Sequence, residues 1–439
     1  MQDNGNAVQT KTGSLAWNNF QNTGDGGVVA VDSNQTAHPG TSIRYSSYQF
    51  FDQFVRRTVN VNGVAGPAVP VGLKIVSGPR AGLNLHQADG GIQFYQPFVL
   101  NAVDPKRMLI GTQSPYESFD QGGTLHNLAN EFLAAGTNGS FIGGNFGFDI
   151  NQGVPMAYGG RLNGVANPDV IYIGDGANFD TVGIRAQLFH RVSAGGPFTK
   201  LTAYPGDEVV TVVMDPQDYR RVYVTDISNR VWASFNEGTT WRELTANLPT
   251  LTTATFTNTI EIYSTRPSTN EDVLMVGTIG GVFQMQHPDR AGATWKQLGE
   301  DLPHALTIDL HYDHTDNILV AGTLGRGAWT ISNPFSDDNS SNSAVVSSVS
   351  IAGTIPTLAA PTSSIASGSL FNPTAADGSW NSSDGKSDPV NVVKNASVQR
   401  DDLTNGLEKQ IVGTKAQSEN SVKPSVIGFV RREPLNTTG

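Results

Sequence analysis

The sequence predicts an all-β protein built as a β-propeller. Three observations carry that expectation: a glycine-rich, charge-poor composition, a unit of about fifty residues that recurs, and four short apolar runs within each unit. The 439 residues include 48 Gly and 23 Pro, and only 15% are charged. With many Val, Thr and Phe, this balance favours strands joined by tight turns over helices, which draw on Ala, Leu, Glu and Lys.

The clearest units place an apolar run before Asp-Pro and a second one after a short polar turn: "FVLNAVDPKRMLIGTQ" from Phe98 and "VVTVVMDPQDYRRVYVTD" from Val209. "IEIYSTRPSTNEDVLMVGT" from Ile260 and "IDLHYDHTDNILVAGT" from Ile308 keep both runs, and "NPDVIYIGDG" from Asn167 keeps the second. With Pro105, Pro168, Pro216, Pro267 and His314 as equivalent points, the gaps are 63, 48, 51 and 47 residues. Each run is short, β-branched and bounded by Gly, Pro, Asn or Asp, as a strand should be. A third run follows, such as "RVWASF" at Arg230, and then a fourth, such as "TTWREL" at Thr239 or "ATWKQL" at Ala293. Four strands per unit make one propeller blade, and a first strand buried on both faces between blades explains runs that do not alternate.

Strand sets fall at 28–79, 98–127, 155–201, 209–244, 259–298 and 307–332. Six blades are expected, or seven if the segment from Asn130 to Ile150 contributes further strands. The last set has no fourth run, whereas "SLAWNNF", Ser14 to Phe20, stands alone before the first blade. Pairing that N-terminal strand with the last blade would close the ring and remove open strand edges. The propeller should therefore span residues 1–332. Residues 333–439 are rich in Ser, Thr and Asn and poor in aromatics, a composition that buries too little apolar surface to offset chain entropy, so this tail is expected to be mostly disordered.

One frame recurs between the third and fourth strands. "SFNEGTTW" gives Ser234, Asn236, Gly238 and Trp241, and "SFDQGGTL" gives Ser118, Asp120 and Gly122 with Leu125 in place of Trp. "HPDRAGATW" keeps Asp289, Gly292 and Trp295 with one extra residue, and "SAGGPFTKL" at Ser193 is a distant copy. Local chemistry accounts for the frame: the Asp or Asn side chain accepts turn N–H groups, Gly supplies a positive φ, and the aromatic ring folds back on the blade. Trp241 is on this basis expected to be buried. The frame resembles the Asp-box, S-x-D-x-G-x-x-W, of the BNR-repeat propellers, which include sialidases, sortilin-type ectodomains, xyloglucanase-type glycosidases and the photosystem II stability factor group. The resemblance covers roughly residues 1–332. It implies the propeller fold, with the box as a structural hairpin on the face away from the usual ligand site.

Composition excludes several functions. A net charge of −11, from 28 basic and 39 acidic residues, argues against a nucleic-acid partner. With no Cys there is no disulfide, thiolate metal site or Cys nucleophile. No apolar run reaches the length of a membrane span, and the chain shows no signal peptide.

Loops joining second to third strands, and fourth strands to the next blade, gather at one channel mouth, where propellers usually bind ligands. That topology brings Asp25, Asp175, Asp207, Glu208, Asp226 and Arg326 to one acidic face. Asp25, Asp175, Asp207 and Glu208 are the candidate catalytic residues, Asp226 and Arg326 the candidate binding residues, and replacing Asp25, Asp175 or Glu208 by Ala should leave folding nearly unchanged. Each Asp alone is explained more simply as a turn cap. Carboxylates suit Ca²⁺, but the twelve-residue D-x-[DN]-x-[DN]-G loop is missing, so no cofactor is expected. His311 and His314, three apart in an extended run, should point to opposite faces and hold no metal. Tyr48, Phe50, Phe51 and Trp329 could form a sugar platform, although packing between blades accounts for them.

The expected function is therefore a non-catalytic binding or scaffolding propeller that recognises a protein or glycan partner, as part of a larger exported protein, extracellular or attached to the cell surface. The alternative is a secreted glycoside hydrolase of the BNR type, with paired carboxylates at the channel mouth. The sialidase branch fits poorly, because it would need an arginine cluster and a Tyr nucleophile and no Arg-Ile-Pro segment precedes the first box.

Overall fold

The computed structural model describes residues 5–9, 16–19, 25–34, 36–137, 142, 153–175, 187–251, 257, 259–265, 271–299, 302, 304–314, 317–335, 347–348, 350–351, 380–381 and 387–388. Among them, six four-stranded antiparallel meanders follow one another as propeller blades. Blade 1 comprises Ala30–Asp32, Thr41–Ser46, Val55–Asn60 and Val69–Pro70. Blade 2 is Phe98–Leu100, Met108–Gly111, Pro115–Ser118 and Thr124–Asn127, with Lys74–Ile75 added in parallel on its outer edge. Blade 3 is Met156–Leu162, Val165–Asp175, Gln187–Arg191 and Thr199–Lys200. Blade 4 is Val209–Asp215, Asp218–Asp226, Val231–Ser234 and Arg242–Glu243. Blade 5 is Thr259–Tyr263, Val273–Thr278, Gly281–Gln286 and Trp295–Leu298. Blade 6 is Thr307–Asp313, Ile318–Thr323, Gly327–Ser332 and Ser347–Ser348.

The apolar runs read from the sequence are the two inner strands of each blade. Met108–Gly111 and Val273–Thr278 are buried at every residue, because both faces of a blade pack against neighbours. Among the described residues the core accordingly falls into five clusters, one at each seam between consecutive blades. Tyr45, Phe51 and Phe98 anchor the seam of blades 1 and 2, and Leu109, Ile171 and Phe189 that of blades 2 and 3. Tyr172 and Val224 mark the next seam, Tyr223 and Leu274 the one after, and Met275 and Tyr312 the last.

The ring's ends meet differently from the expected closure. The N-terminal hairpin pairs Ala7–Gln9 with Ala16–Asn19, and the second of these strands lies parallel to Ser350–Ile351. The N-terminal strand thus meets the chain just beyond blade 6. The fourth place in that blade is held by Ser347–Ser348 against Trp329 and Thr330. An outermost strand needs backbone pairing but little apolar burial, which is why a Ser pair serves there and why no apolar run announced it. On the other side, Gly5 bridges Asp25 and the Asn6 amide donates to the Ser47 carbonyl at 2.8 Å, tying the hairpin to blade 1.

The segment considered for a seventh blade begins with the helix Ala129–Ala134, and its residues 138–141 and 143–152 lie outside the described residues. Most of the tail lies outside them too. The chain divides into two compact units, Met1–Ala352 with Val426–Gly439, and Gly353–Ser425. In the second unit the described residues form one hairpin, Trp380–Asn381 with Ser387–Asp388.

Candidate functional site

The Asp-box turns carry their own hydrogen bonds. In blade 2 the Ser118 hydroxyl donates to Asp120 at 2.9 Å and accepts from the Gly122 N–H at 2.9 Å, while Asp120 accepts from the Thr124 N–H at 2.8 Å. In blade 4 Ser234, Asn236, Gly238 and Thr240 repeat these contacts, with Ser234 accepting from the Gly238 N–H at 2.8 Å. Gly122 and Gly238 have φ of 82° and 79°, the left-handed conformation that glycine adopts without strain. In the third copy Gly292 has φ 77°, but the Asp289 carboxylate turns to Arg221, 3.7 Å away.

Trp241 differs from the expectation. It is half-buried, its ring edge-on to Tyr204 at 5.0 Å and its N–H donated to the Gly238 carbonyl at 3.0 Å. Trp295 is the deeply buried one, at 1% exposure, and its N–H reaches back to the Leu244 carbonyl of blade 4 at 2.8 Å. A turn motif specifies the hairpin, but the neighbouring blade decides how far the ring sinks.

Both boxes with a Ser also place a Phe after it, and each Phe supports an arginine. Arg107 lies over Phe119 at 4.8 Å and Arg221 over Phe235 at 4.7 Å. Arg107 donates to Glu117 at 2.8 Å, to Asp169 at 2.7 Å and to the Tyr158 hydroxyl at 2.7 Å, and Arg191 donates to the same Glu117 oxygen at 2.8 Å. Arg221 lies 3.3 Å from Asp215 and donates to Asp272 at 2.9 Å. These arginines pair across the seams with blade carboxylates at the Asp-box end. Their forks are engaged there by the carboxylates of the blades.

Of the residues assigned to the channel mouth, the structure joins Asp207 and Asp226. Asp226 is fully buried and accepts from Arg230 Nε at 2.9 Å, Trp232 Nε1 at 2.9 Å and the N–H groups of Arg230 at 3.0 Å and Asp207 at 3.1 Å. Asp207 is exposed and pairs with Arg230 at 2.9 Å. Asp226 thus closes the loop between second and third strands. Its replacement by Ala should destabilise the fold by about 2–3 kcal/mol, since a charged acceptor of several buried donors is lost. Asp207→Ala should stay within about 0.5 kcal/mol. Equal urea midpoints for the two variants would contradict this assignment.

The other mouth residues have separate surroundings. Asp25 is half-buried, exchanging bonds with Gln49: its N–H donates to Oε1 at 3.0 Å and its carbonyl accepts from the Gln49 N–H at 3.0 Å. Asp175 is fully buried and accepts from the Thr137 hydroxyl. With the carboxylate buried and bonded in this way, Asp175→Ala should lower the stability of the fold. The Glu208 carbonyl accepts from the Ile227 N–H at 2.8 Å, holding the loop over Asp226. Arg326 is exposed, and its carbonyl accepts from Trp329 Nε1 at 3.0 Å.

A pair of carboxylates that the sequence reading passed over lies on the innermost strands of blades 5 and 6. Glu261 and Asp309 stand 48 residues apart, at corresponding places in "TIEIY" and "TIDLHYD". Glu261 accepts from the Ile262 N–H at 2.9 Å and the Tyr312 N–H at 3.4 Å, and His311 Nδ1 approaches it to 3.7 Å. Glu261 is half-buried and Asp309 exposed; desolvation raises the Glu261 carboxyl above the ordinary range, with His311 opposing the shift and the Asp309 charge adding to it. A lone carboxylate inside an apolar first strand, at the same place in two successive units, was the signal available. His314 points elsewhere, stacked on Tyr263 at 6.1 Å and edge-on to Tyr312 at 4.7 Å, and burial lowers its pKa. Among the described residues no group of three or more His, Asp or Glu is placed to hold a metal ion, and no helix is long and apolar enough to cross a membrane.

No protein-family model matches the chain, and no curated protein matches it. Solved structures similar to it include the GH74 enzyme of Niastella koreensis, at 13% identity and a TM-score of 0.38 over 70% of this chain and 36% of that one. The GH74 xyloglucanase of Xanthomonas campestris is similar at 15% identity and a TM-score of 0.32, over 69% of this chain and 51% of the other. The chain therefore spans about a third to a half of the length of those two proteins.

Proposed function

We propose that this propeller is directed at glycans outside the cell, and that it hydrolyses a glycosidic bond with Glu261 and Asp309 as its carboxyl pair. The observation that supports this reading is the pair itself: two carboxyls at the same place on neighbouring inner strands, that of Glu261 raised by desolvation and by the Asp309 charge beside it. Glycoside hydrolysis requires one carboxyl that keeps its proton near neutral pH, to protonate the leaving oxygen, and a second that is ionised to activate water or attack the sugar. A carboxyl raised by burial and by a neighbouring negative charge keeps its proton over a range in which an isolated one would be charged.

The test is release of reducing ends from a panel of soluble polysaccharides. Release by the wild-type chain should fall by at least about a hundredfold in both Glu261→Gln and Asp309→Asn. A panel left intact by the wild type, or release unchanged in both variants, would sink the proposal. The same carboxyl predicts a stability signature. Because the folded pKa of Glu261 is raised, wild-type stability falls as pH rises from the ordinary carboxylate value, about 4.3, through the folded one. Glu261→Gln removes that loss. Its urea midpoint should match wild type at pH 4 and exceed it at pH 7; the reverse order would exclude a raised carboxyl.

A binding role without hydrolysis is favoured by one observation, the exposure to solvent of the Asp207 and Asp309 carboxylates. Under that reading the wild type would retain a glycan and release no reducing ends from it.

A further inference from the structure

The loop between the second and third strands of blade 1 departs from ordinary backbone geometry in a way the fold explains only in part. Phe50, Phe51 and Gln53 all have positive φ, at 57°, 60° and 46°. For residues with a side chain this left-handed conformation is strained. Phe51 repays its share, because its ring is fully buried and stacks on Phe54 at 4.1 Å and against Phe98 at 5.5 Å. Phe50 does not, since 46% of it stays exposed.

What holds Phe50 is a second loop, the connection from blade 1 into blade 2. The Phe50 N–H donates to the Phe94 carbonyl at 2.8 Å, and the two rings meet edge-on at 5.2 Å and 76°. The Phe94 ring in turn meets Tyr95 at 4.9 Å. This second loop is rigidly built. Asp89 accepts from the Thr112 and Tyr116 hydroxyls, both at 2.7 Å, and the buried Gln93 and Gln96 amides donate to the Gly111 carbonyl at 3.2 and 2.6 Å. The third wall is the segment leading into blade 1, where Asp25 and Gln49 exchange bonds and Gly26 bridges Tyr48. All three segments lie at the mouth end by strand polarity.

Burial, and then the nearby Asp25 charge, push the Tyr95 hydroxyl up to about 12, so it is a protonated donor at neutral pH. The cradle therefore offers an open aromatic ring on a fixed support, with a hydroxyl and a carboxylate close by. Flat apolar surface bordered by polar groups matches a pyranose ring, which has one C–H face and equatorial hydroxyls. The carboxylate and the net charge of −11 disfavour an anionic sugar.

We propose that Phe50, supported by Phe94 and flanked by Tyr95 and Asp25, is a stacking subsite for one ring of a neutral polysaccharide. This rests on the glycan-directed reading above and adds where the chain of sugars is held and of what charge it is.

Affinity electrophoresis of the full chain tests it, in gels containing barley mixed-linkage β-glucan, hydroxyethyl cellulose, galactomannan or polygalacturonate. At least one of the three neutral polymers should retard the wild type, and polygalacturonate should not. Phe50→Ala should weaken that retardation about tenfold, and Phe50→Trp should preserve it. Since Phe50 lies at the surface, the Ala variant should melt close to wild type; if it does not fold, Phe50→Leu removes the flat ring while keeping apolar bulk. No retardation by any neutral polymer, equal retardation of the Ala or Leu variant, or stronger retardation by polygalacturonate would overturn the proposal. Retardation that depends on Phe50 without release of reducing ends would retain this subsite and remove the hydrolase. Release with unweakened binding in Phe50→Ala would do the opposite.

Discussion

Replacing Glu117 by Ala should destabilise the fold by about 3–5 kcal/mol. Its side chain is 4% exposed and one of its oxygens accepts from Arg107 at 2.8 Å, Arg191 at 2.8 Å and Tyr158 at 2.5 Å. Deleting the carboxylate leaves two buried guanidiniums side by side, of which Arg107 keeps its pairing with the Asp169 carboxylate. That is the case in which a buried ion pair matters most, because the charge left behind has no water to replace its partner. Urea denaturation at pH 7 measures the loss, and a midpoint within experimental scatter of wild type would show that the network is solvated. The pH dependence carries a second signature. Desolvation alone would push Glu117 up, but the bonds from Arg191, Tyr158 and Arg107 outweigh it and hold the carboxyl below its ordinary value. A depressed folded pKa gives stability that is complete above the unfolded value, about 4.3, and is lost as pH falls through the folded one. The gap between wild type and Glu117→Ala should therefore narrow below about pH 4.

Trp295→Ala should cost a similar amount, about 3–5 kcal/mol, through a different term. The ring is 1% exposed within the cluster that joins blades 4 and 5, so its loss leaves a cavity at a seam. It also strands the Leu244 carbonyl, which accepts the indole N–H at 2.8 Å. The backbone around it stays pinned, since the Asn247 side chain accepts from the Trp295 N–H at 2.8 Å and donates to its carbonyl at 3.1 Å. Little collapse can fill the void. Trp241→Ala is the internal comparison, because that ring is only half-buried and should cost about half as much. Equal losses at the two positions would contradict the difference in depth.

The blades were legible because their signals are local. A Ser hydroxyl accepting from a Gly N–H four residues on, with Gly at positive φ, needs nothing from the rest of the chain, and Ser118 and Ser234 do this alike. Apolar runs buried on both faces mark inner strands for the same reason. What the sequence withheld depends on partners in another blade. Trp295 is deep because Leu244 and Asn247 lie against it, whereas Trp241 meets Tyr204 near the surface. Strand polarity brought Asp207 and Asp226 to one end, but whether a carboxylate there is open or engaged turns on Arg230 and Trp232, four and six residues after Asp226. Ser347–Ser348 was invisible as a strand, since two small polar residues carry no periodicity. Glu261 and Asp309 each interrupt an apolar first strand, a position that loop topology does not mark as a site.

The buried arginines have a mechanical consequence. Charge crosses the seam between blades 2 and 3, through Arg107 and Arg191, and that between blades 4 and 5, through Arg221. Between blades 3 and 4 the contacts described are of another kind: an apolar cluster that includes Tyr172, Val212 and Val224, the main-chain pairing of Leu162 with Asp218, the Val212 N–H donated to the Val154 carbonyl at 3.5 Å, and a bond of 3.1 Å from the Tyr172 hydroxyl to the Tyr219 carbonyl. Pulling apart either of the charged seams would expose unpaired guanidiniums and carboxylates as well as apolar surface, so under tension these two joints should be the stiffest of those described.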